Sequence, residues 1–348
     1  MKIIIYGAGA IGCTLAAWLS EKHEHTYLLC RGESAKTIRE KGLEIYSLPH
    51  PDPIQRRGSK MVPIKVIESI DEVENPDLIA LAVKNYSLRV IVNSLEGRTN
   101  KDTVILGLQN GVANQELLSP HAYPHRGPGP QILFGVLAYN AWLDKPGCVG
   151  YQHKGVMVIG TLNNEHSQTV KDVAAVFNKG IETFVAKNWQ NVAHTKLLIN
   201  LGNSITTLLG RNFKETPRTD LLLTITGNMM LEGMHILKAE SIQEERIKGL
   251  PSWNLLKASA ILPQFITAPL FRKNIRKMGM SSMAQDIFNR KGNDTELDDI
   301  NGYVLALADK HKIAAPYNRT LYRLCKEKFT EPGFEGMSVE EVWKSIRH

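Results

Sequence analysis

Residues Lys2 to Gly12 read KIIIYGAGAIG. An apolar run, Ile3 to Tyr6, leads into Gly7-x-Gly9-x-x-Gly12, and Leu15, Ala16 and Leu19 then recur at helical spacing. A strand that turns through glycines into a helix suits a dinucleotide pyrophosphate. Gly7 permits the tight turn, Gly9 lets the backbone approach the phosphates, and Gly12 lets the helix pack on the strand. Ala8, Ala10 and Ile11 complete the turn, whose N–H groups and positive dipole end suit an anion. A bare GxGxxG also occurs in ordinary loops. Its position after a strand-like run favours the dinucleotide reading. So does a second apolar run, Thr26 to Cys30, at the distance a βαβ unit requires. That run ends in Arg31, not in the Asp or Glu that binds a ribose 2′-hydroxyl. Arginine suits a 2′-phosphate, so NADP(H) is the expected cofactor. The competing reading makes Arg31 one of many surface cations.

The chain has 348 residues, enough for two domains with real cores. With 43% hydrophobic and 22% charged residues it has an ordinary globular composition. The net charge of +7 comes from scattered Lys and Arg, which suits anionic small molecules better than nucleic acid. Cys13, Cys30, Cys148 and Cys325 form no C-x-x-C or Cys/His cluster. Neither a metal site nor a disulfide framework is expected, and a reducing, cytoplasmic setting fits. The apolar N-terminus superficially resembles a signal peptide, but three glycines, Glu21 and Lys22 break that pattern. No apolar run approaches the roughly 18 residues of a membrane span.

Strand and helix signals alternate through the first half. Apolar runs at Leu78–Val83 and Val104–Leu108 flank a helical Ser87–Leu95. Strands are expected near Ile132–Tyr139, Val149–His153, Val156–Thr161 and Glu182–Ala186, with a helix at Lys171–Lys179. Leu48–Met61 and Pro120–Pro130, rich in Pro and Gly, read as loops. From Trp189 onward helical periodicity dominates, over Val192–Leu209, Leu221–Ala239, Met283–Ile287 and Glu296–Lys312. The expected architecture is a Rossmann-type α/β parallel-sheet domain over residues 1–187, followed by an all-α domain over 188–348.

Five further patterns carry chemistry: Ala82-Val83-Lys84, Leu108-Gln109-Asn110-Gly111, Lys196-Leu-Leu-Ile-Asn200, Ser281-Ser282-Met283-x-Gln285-Asp286, and Thr295-Glu296-Leu-Asp298-x-Ile300-Asn301-Gly302. Together with GAGAIG, and in this order, they resemble the ketopantoate reductase (2-dehydropantoate 2-reductase) family from Met1 to about Lys328. The resemblance implies a Rossmann domain plus a helical domain, with the active site in the cleft between them. The implied reaction is NADPH-dependent reduction of 2-dehydropantoate to (R)-pantoate in pantothenate synthesis. A small 2-oxo acid is then the partner, with no membrane and no nucleic acid, and a homodimer is left open.

Reduction of a 2-oxo acid needs a group that stabilises and protonates the developing alkoxide. Lys196 suits that role as a point charge with a tunable pKa. Asn200 lies one helical turn on, and Ser204 continues that face. The resemblance makes Lys196 the general acid and Asn200 a substrate ligand. On periodicity alone Lys196 is an exposed helix lysine and Asn200 an amide tying two helices. The resemblance makes Glu296 the second catalytic residue, which binds substrate hydroxyl, helps place the lysine and also contacts the cofactor. Otherwise it is a first-turn acid behind a cap at Asp294 or Thr295. Ser282 matches a serine at the substrate carboxylate, or else Ser281 and Ser282 cap a helix. Asp286 is a substrate contact or a structural partner of backbone or Lys196. Lys84 and Asn110 each follow a strand, at the sheet edge where such folds bind ligands. The resemblance has them contact cofactor and position nicotinamide and substrate; Asn110-Gly111 is otherwise a plain turn. Asn301, Pro316 and Asn318 also match.

Ser204 stands where many relatives carry a second asparagine. The interval before Ser281 is long. It contains Trp253, Pro263, Phe265, Pro269 and Phe271, then Arg272, Lys273, Arg276 and Lys277. Extra core helix is the default expectation there, with a larger pocket, a dimer surface or a membrane contact as alternatives. Two other functions compete: reduction of a different 2-oxo acid, and a non-catalytic NADP-binding sensor. Lys196, Asn200 and Glu296 together argue against the sensor, which needs none of them.

Overall fold

The computed structural model describes residues 1–48, 57–118, 130–289 and 295–347. Contacts divide the chain into two units, Met1–Val192 with Ile247–Gly249, and Ala193–Arg246 with Leu250–His348. The division falls inside the first helix after the last strand, further along than Lys187.

The first unit opens with β1 (Ile3–Tyr6), α1 (Ala10–Ser20), β2 (Thr26–Leu29) and α2 (Gly32–Lys41). Then come β3 (Leu43–Ser47), β4 (Arg57–Val62), β5 (Lys65–Ile67), β6 (Leu78–Leu81) and α3 (Asn85–Ser94). They are followed by β7 (Val104–Gly107), α4 (Ala113–Leu117), β8 (Gln131–Leu137), β9 (Ala141–Lys145), β10 (Cys148–Tyr151) and β11 (Val156–Gly160). The last elements are α5 (Gln168–Asn178), β12 (Glu182–Val185) and the start of α6 (Trp189–Asn200).

Eight strands form one sheet in the order β12-β11-β8-β7-β6-β1-β2-β5. Every neighbouring pair is parallel except β11 with β8. The central strands are apolar at every position. Leu78, Ile79, Ala80 and Leu81 are all fully buried, as a parallel sheet covered on both faces requires. The chain runs outward from β1 through β2 and β5, then returns to β6 on the other side of β1. That reversal leaves a switch point between the carboxyl ends of β1 and β6, where Tyr6 pairs Leu81.

A second sheet, β4-β3-β10-β9, was not expected from sequence. Between the two sheets lies α1, and this explains its composition. Cys13, Leu15, Ala16, Ala17, Trp18 and Leu19 are all buried, so it is apolar all round rather than striped. Trp18 meets the Tyr151 ring of β10 edge-on at 5.2 Å between centroids.

The second unit is helical: the rest of α6, then α7 (Gly202–Leu208), α8 (Thr219–Ala239), α9 (Trp253–Ile261), α10 (Gln264–Lys277) and α11 (Ser282–Asn289). A π-helical turn, Asp298–Gly302, leads directly into α12 (Tyr303–Lys310). The chain continues through α13 (Pro316–Lys328) and α14 (Val339–Arg347). The 21-residue α8 packs against α9, α10, α12, α13 and α14, and buries Leu222, Ile225, Met229, Met234 and Leu237.

Four expectations need correction. Leu48–Met61 is not all loop: Arg57–Val62 is β4, paired antiparallel with β3. Only Val62 of its last two residues is buried, so this strand has little apolar signal and is fixed by pairing. Val192–Leu209 is not one helix. Its hydrogen-bond ladder is interrupted at Leu201, which keeps helical dihedrals (φ −53°, ψ −35°) and accepts from the Ser204 N–H at 3.2 Å in a tighter turn. Glu296–Lys312 is not uniformly α-helical, because the π turn interrupts it. The Trp253–Lys277 interval is helix but largely not core: Leu255, Ile261, Leu262, Phe265, Ile266 and Leu270 are exposed. The expected Pro120–Pro130 loop and Asp294 lie outside the described residues, Pro130 apart.

Candidate active site

In the first unit the expected cofactor residues gather at the switch point. Gly7 has φ +112°, a region that L side chains rarely adopt, and a Cβ there would lie 2.8 Å from Val83 Cγ1. A Cβ on Gly12 would run into the Gly7 carbonyl. The corner between β1 and α1 therefore admits glycine at both places. Gly9 caps α1 without any side-chain bond to the helix N–H groups, and the first turn carries no acid. Those donors and the dipole are left for an anion.

Arg31 stands at the N-cap of α2, just beyond β2. Its Nε donates to the Glu68 carbonyl at 3.1 Å, which orients the guanidinium, while Glu68 Oε1 accepts from Arg39 at 2.9 Å. Lys84 is the N-cap of α3, after β6, and Asn110 follows β7. Because β6 and β7 are neighbours, with Leu81 opposite Gly107, the fold brings these two distant residues to adjacent loops.

In the second unit Lys196 lies on α6, half-buried, and burial alone pushes its ammonium down to about 8. Asn200, one turn on, is 7% exposed. Glu296 and Asp286 are 2% and 3% exposed. Of these groups the lysine carries a clear desolvation cost, which is what lowers its pKa. Glu296 sits just before the π turn, an irregularity frequent at functional sites. Thr295 Oγ1 accepts from the Leu297 N–H at 3.3 Å, so the cap expected at Thr295 is present.

The expected second-unit residues separate into two groups. Ser281 caps α11, accepting from the Ala284 N–H at 3.1 Å, and its hydroxyl lies 3.3 Å from Thr207 Oγ1 on α7. Ser282 is the first residue of α11. Asn301 Nδ2 donates to Ser204 Oγ at 3.2 Å, joining the π turn to α7. Ser204 lies on α7, one turn beyond Asn200. It is fully buried, and its hydroxyl donates to the Leu201 carbonyl at 2.7 Å, so it serves the core rather than opening to a ligand. Asn318 is likewise a core residue. Its Nδ2 donates to the Met229 carbonyl at 3.0 Å and to Glu232 Oε2 at 2.8 Å.

Two residues escaped the sequence reading. His194, 3% exposed and two positions before Lys196, has Nε2 2.9 Å from the Tyr303 hydroxyl. A lone histidine on an apolar helix carries no local signal for this partner. Gln109, inside the quoted LQNG pattern, is 6% exposed and hydrogen-bonded to the neighbouring loop. Among the described residues no helix is long and apolar enough to cross a membrane. All four cysteines are buried and unpaired as disulfides.

Comparison with known proteins covers both units. Residues 3–164 match the ketopantoate reductase PanE/ApbA family, and residues 188–329 match that family's C-terminal domain. The chain is 31% identical over 332 residues to a 2-dehydropantoate 2-reductase of Pyrococcus abyssi, covering 94% of this chain and 98% of that one. Among solved structures, a 2-dehydropantoate 2-reductase of Geobacter metallireducens superposes with TM-score 0.72 at 21% identity, covering 94% of this chain and 99% of that one. A D-mandelate dehydrogenase in ternary complex with NADH and anilino(oxo)acetate superposes with TM-score 0.71 at 21% identity, covering 100% and 99%.

Proposed function

The chain belongs to the ketopantoate reductase family, and from that premise we propose that it reduces 2-dehydropantoate to (R)-pantoate with NADPH, Lys196 serving as general acid. The observation that carries this reading is the half-buried Lys196, held at about 8 and one helical turn from the buried Asn200. An acid with a pKa near the working pH is protonated often enough to act and releases its proton readily.

The first unit's residues fit a dinucleotide. The β1–α1 corner has no space for side chains at Gly7 and Gly12, and the uncapped α1 N-terminus suits a pyrophosphate. Arg31, with its Nε anchored, is assigned to the ribose 2′-phosphate, a bidentate task for which guanidinium is suited. Lys84 and Asn110 are assigned to the nicotinamide end. When bound, the nicotinamide supplies a hydride to the 2-oxo carbon.

The other half of the reaction belongs to the second unit. As the carbonyl oxygen gains charge, the Lys196 ammonium stabilises it and passes it a proton. Hydride and proton become the C–H and O–H of the hydroxy acid, and nothing else is consumed. Asn200 holds the substrate beside the lysine, Glu296 receives its hydroxyl and keeps the lysine in place, and Ser282 receives its carboxylate. Asp286 supports this set from the interior.

A panel of 2-oxo acids tests the proposal, with NADPH or NADH and absorbance followed at 340 nm. Ketopantoate with NADPH should give the highest kcat/KM, by at least about tenfold over the other pairs. A bulkier 2-oxo acid as the best substrate would keep the chemistry and displace ketopantoate. Tight NADPH binding with no turnover of any acid would leave a binding protein without this reaction.

A further inference from the structure

We infer that Asn85 and Gln109 form a reciprocal amide clasp that fixes the spacing between Lys84 and Asn110, making both of them positioning residues for the dinucleotide. The inference rests on reading Lys84 and Asn110 as dinucleotide contacts.

The geometry is symmetrical in sequence. Asn85 directly follows Lys84, and Gln109 directly precedes Asn110. Asn85 Nδ2 donates to the Asn110 carbonyl at 3.0 Å. Gln109 Nε2 donates back across the same gap, to the Leu81 carbonyl at 2.6 Å and the Val83 carbonyl at 3.0 Å. Each loop thus grips the backbone of the other beside the residue it presents. Both side chains are more than nine-tenths buried, so these bonds do not compete with water.

The clasp is itself held. Asn114 Nδ2 donates to Gln109 Oε1 at 3.3 Å, turning the Gln109 amide so that its NH2 faces the two carbonyls. A Cβ at Gly107 would lie 3.1 Å from both atoms of that bond, so the bare backbone there leaves room for it. The clasp also reaches the glycine corner. Val83, whose carbonyl Gln109 holds, is the residue that packs against Gly7, and the Ala82 N–H donates to the Tyr6 carbonyl at 3.0 Å. The loops after β1, β6 and β7 therefore move as one piece, and dinucleotide affinity depends on their relative placement.

The test uses the full-length protein and NADPH as probe, with binding read from the fluorescence of bound NADPH. Gln109→Met keeps the volume and loses both donors; Asn85→Leu keeps much of the volume and loses its donor without adding charge. Each should raise the NADPH Kd at least tenfold, at a temperature well below its own Tm. The double variant should lose less than the product of the single losses, because both bonds restrain the same pair of loops. Glu232→Ala, in the other unit, is the control for stability: its Tm falls while its Kd stays at the parent value. If Gln109→Met fails to fold, Asn85→Leu decides. A Kd within twofold of the parent in the folded variants overturns the clasp and leaves the reductase reading intact. A parent that binds NADPH but turns over no 2-oxo acid defeats that reading, and the Kd comparison still judges the clasp. A parent that binds no dinucleotide overturns both.

Discussion

At the scale of single residues, Lys196 combines two opposed demands. Burial pulls its pKa down to about 8, whereas an unfolded lysine titrates near 10.4. The folded protein therefore binds fewer protons than the unfolded chain between those values, and stability rises as pH climbs from about 8 to about 10. Below that window the charged lysine burdens the fold in full. Lys196→Met should raise Tm at pH 7 by at least about 2 °C in a thermal melt, while turnover collapses. An unchanged or lowered Tm would mean that the site already compensates the charge. Lys196→Ala should cut kcat/KM by about 10²–10⁴ with a folded protein, the scale of general acid catalysis. The parent's kcat/KM should fall as pH rises through about 8, because the acid form of Lys196 is lost; a profile flat to pH 9.5 would remove it from the role. Arg31→Ala should narrow the preference for NADPH over NADH by at least about tenfold, on the scale of a lost charged hydrogen bond. Equal losses for both cofactors would show that Arg31 does not read the 2′-phosphate. The sequence signals behind these proposed roles are local: a glycine spacing, an arginine after a strand, and an amide one helical turn from a lysine. The burial of Ser204 is not legible in the same way, since it depends on Asn301 and Met229, which reach its hydroxyl from elements distant in sequence.

At the scale of elements, the sequence was most readable where one element has one environment. The buried strands β1, β6 and β7 are continuous apolar runs and were placed within a few residues. β4 was not, because it gains its place from antiparallel pairing with β3 and not from apolar content. The π turn at Asp298–Gly302 was also invisible, as its extra residue leaves the apolar spacing of the flanking helix almost unchanged. The start of α13 shows how one element secures another. Glu232 of α8 accepts from the Tyr317 and Asn318 N–H groups at 3.0 and 2.9 Å, satisfying two orphan donors at once. Glu232→Ala should cost about 1–3 kcal/mol, measured by urea denaturation, with kcat unchanged. No loss of stability would show that water replaces the carboxylate without penalty.

At the scale of the whole molecule, the proposed function draws on both units. The first, a sheet with a reversal of strand order beside a glycine corner, carries the features of a dinucleotide site. The second, without strands among its described residues, buries an asparagine and two acids and holds a half-buried lysine. The order of α/β and helical halves was readable from the shift in periodicity after Trp189. The second sheet was not, since it joins two local antiparallel pairs, β3–β4 and β9–β10, through β3 and β10, which lie about a hundred residues apart in sequence. Membership of the ketopantoate reductase family follows from matches to both halves. The substrate and the cofactor are the account's central claim, and product analysis tests them most directly. Purified protein incubated with NADPH and ketopantoate should form (R)-pantoate, resolved by chiral chromatography, one molecule for each NADPH oxidised. Absence of pantoate with a folded, NADPH-binding protein would contradict the account.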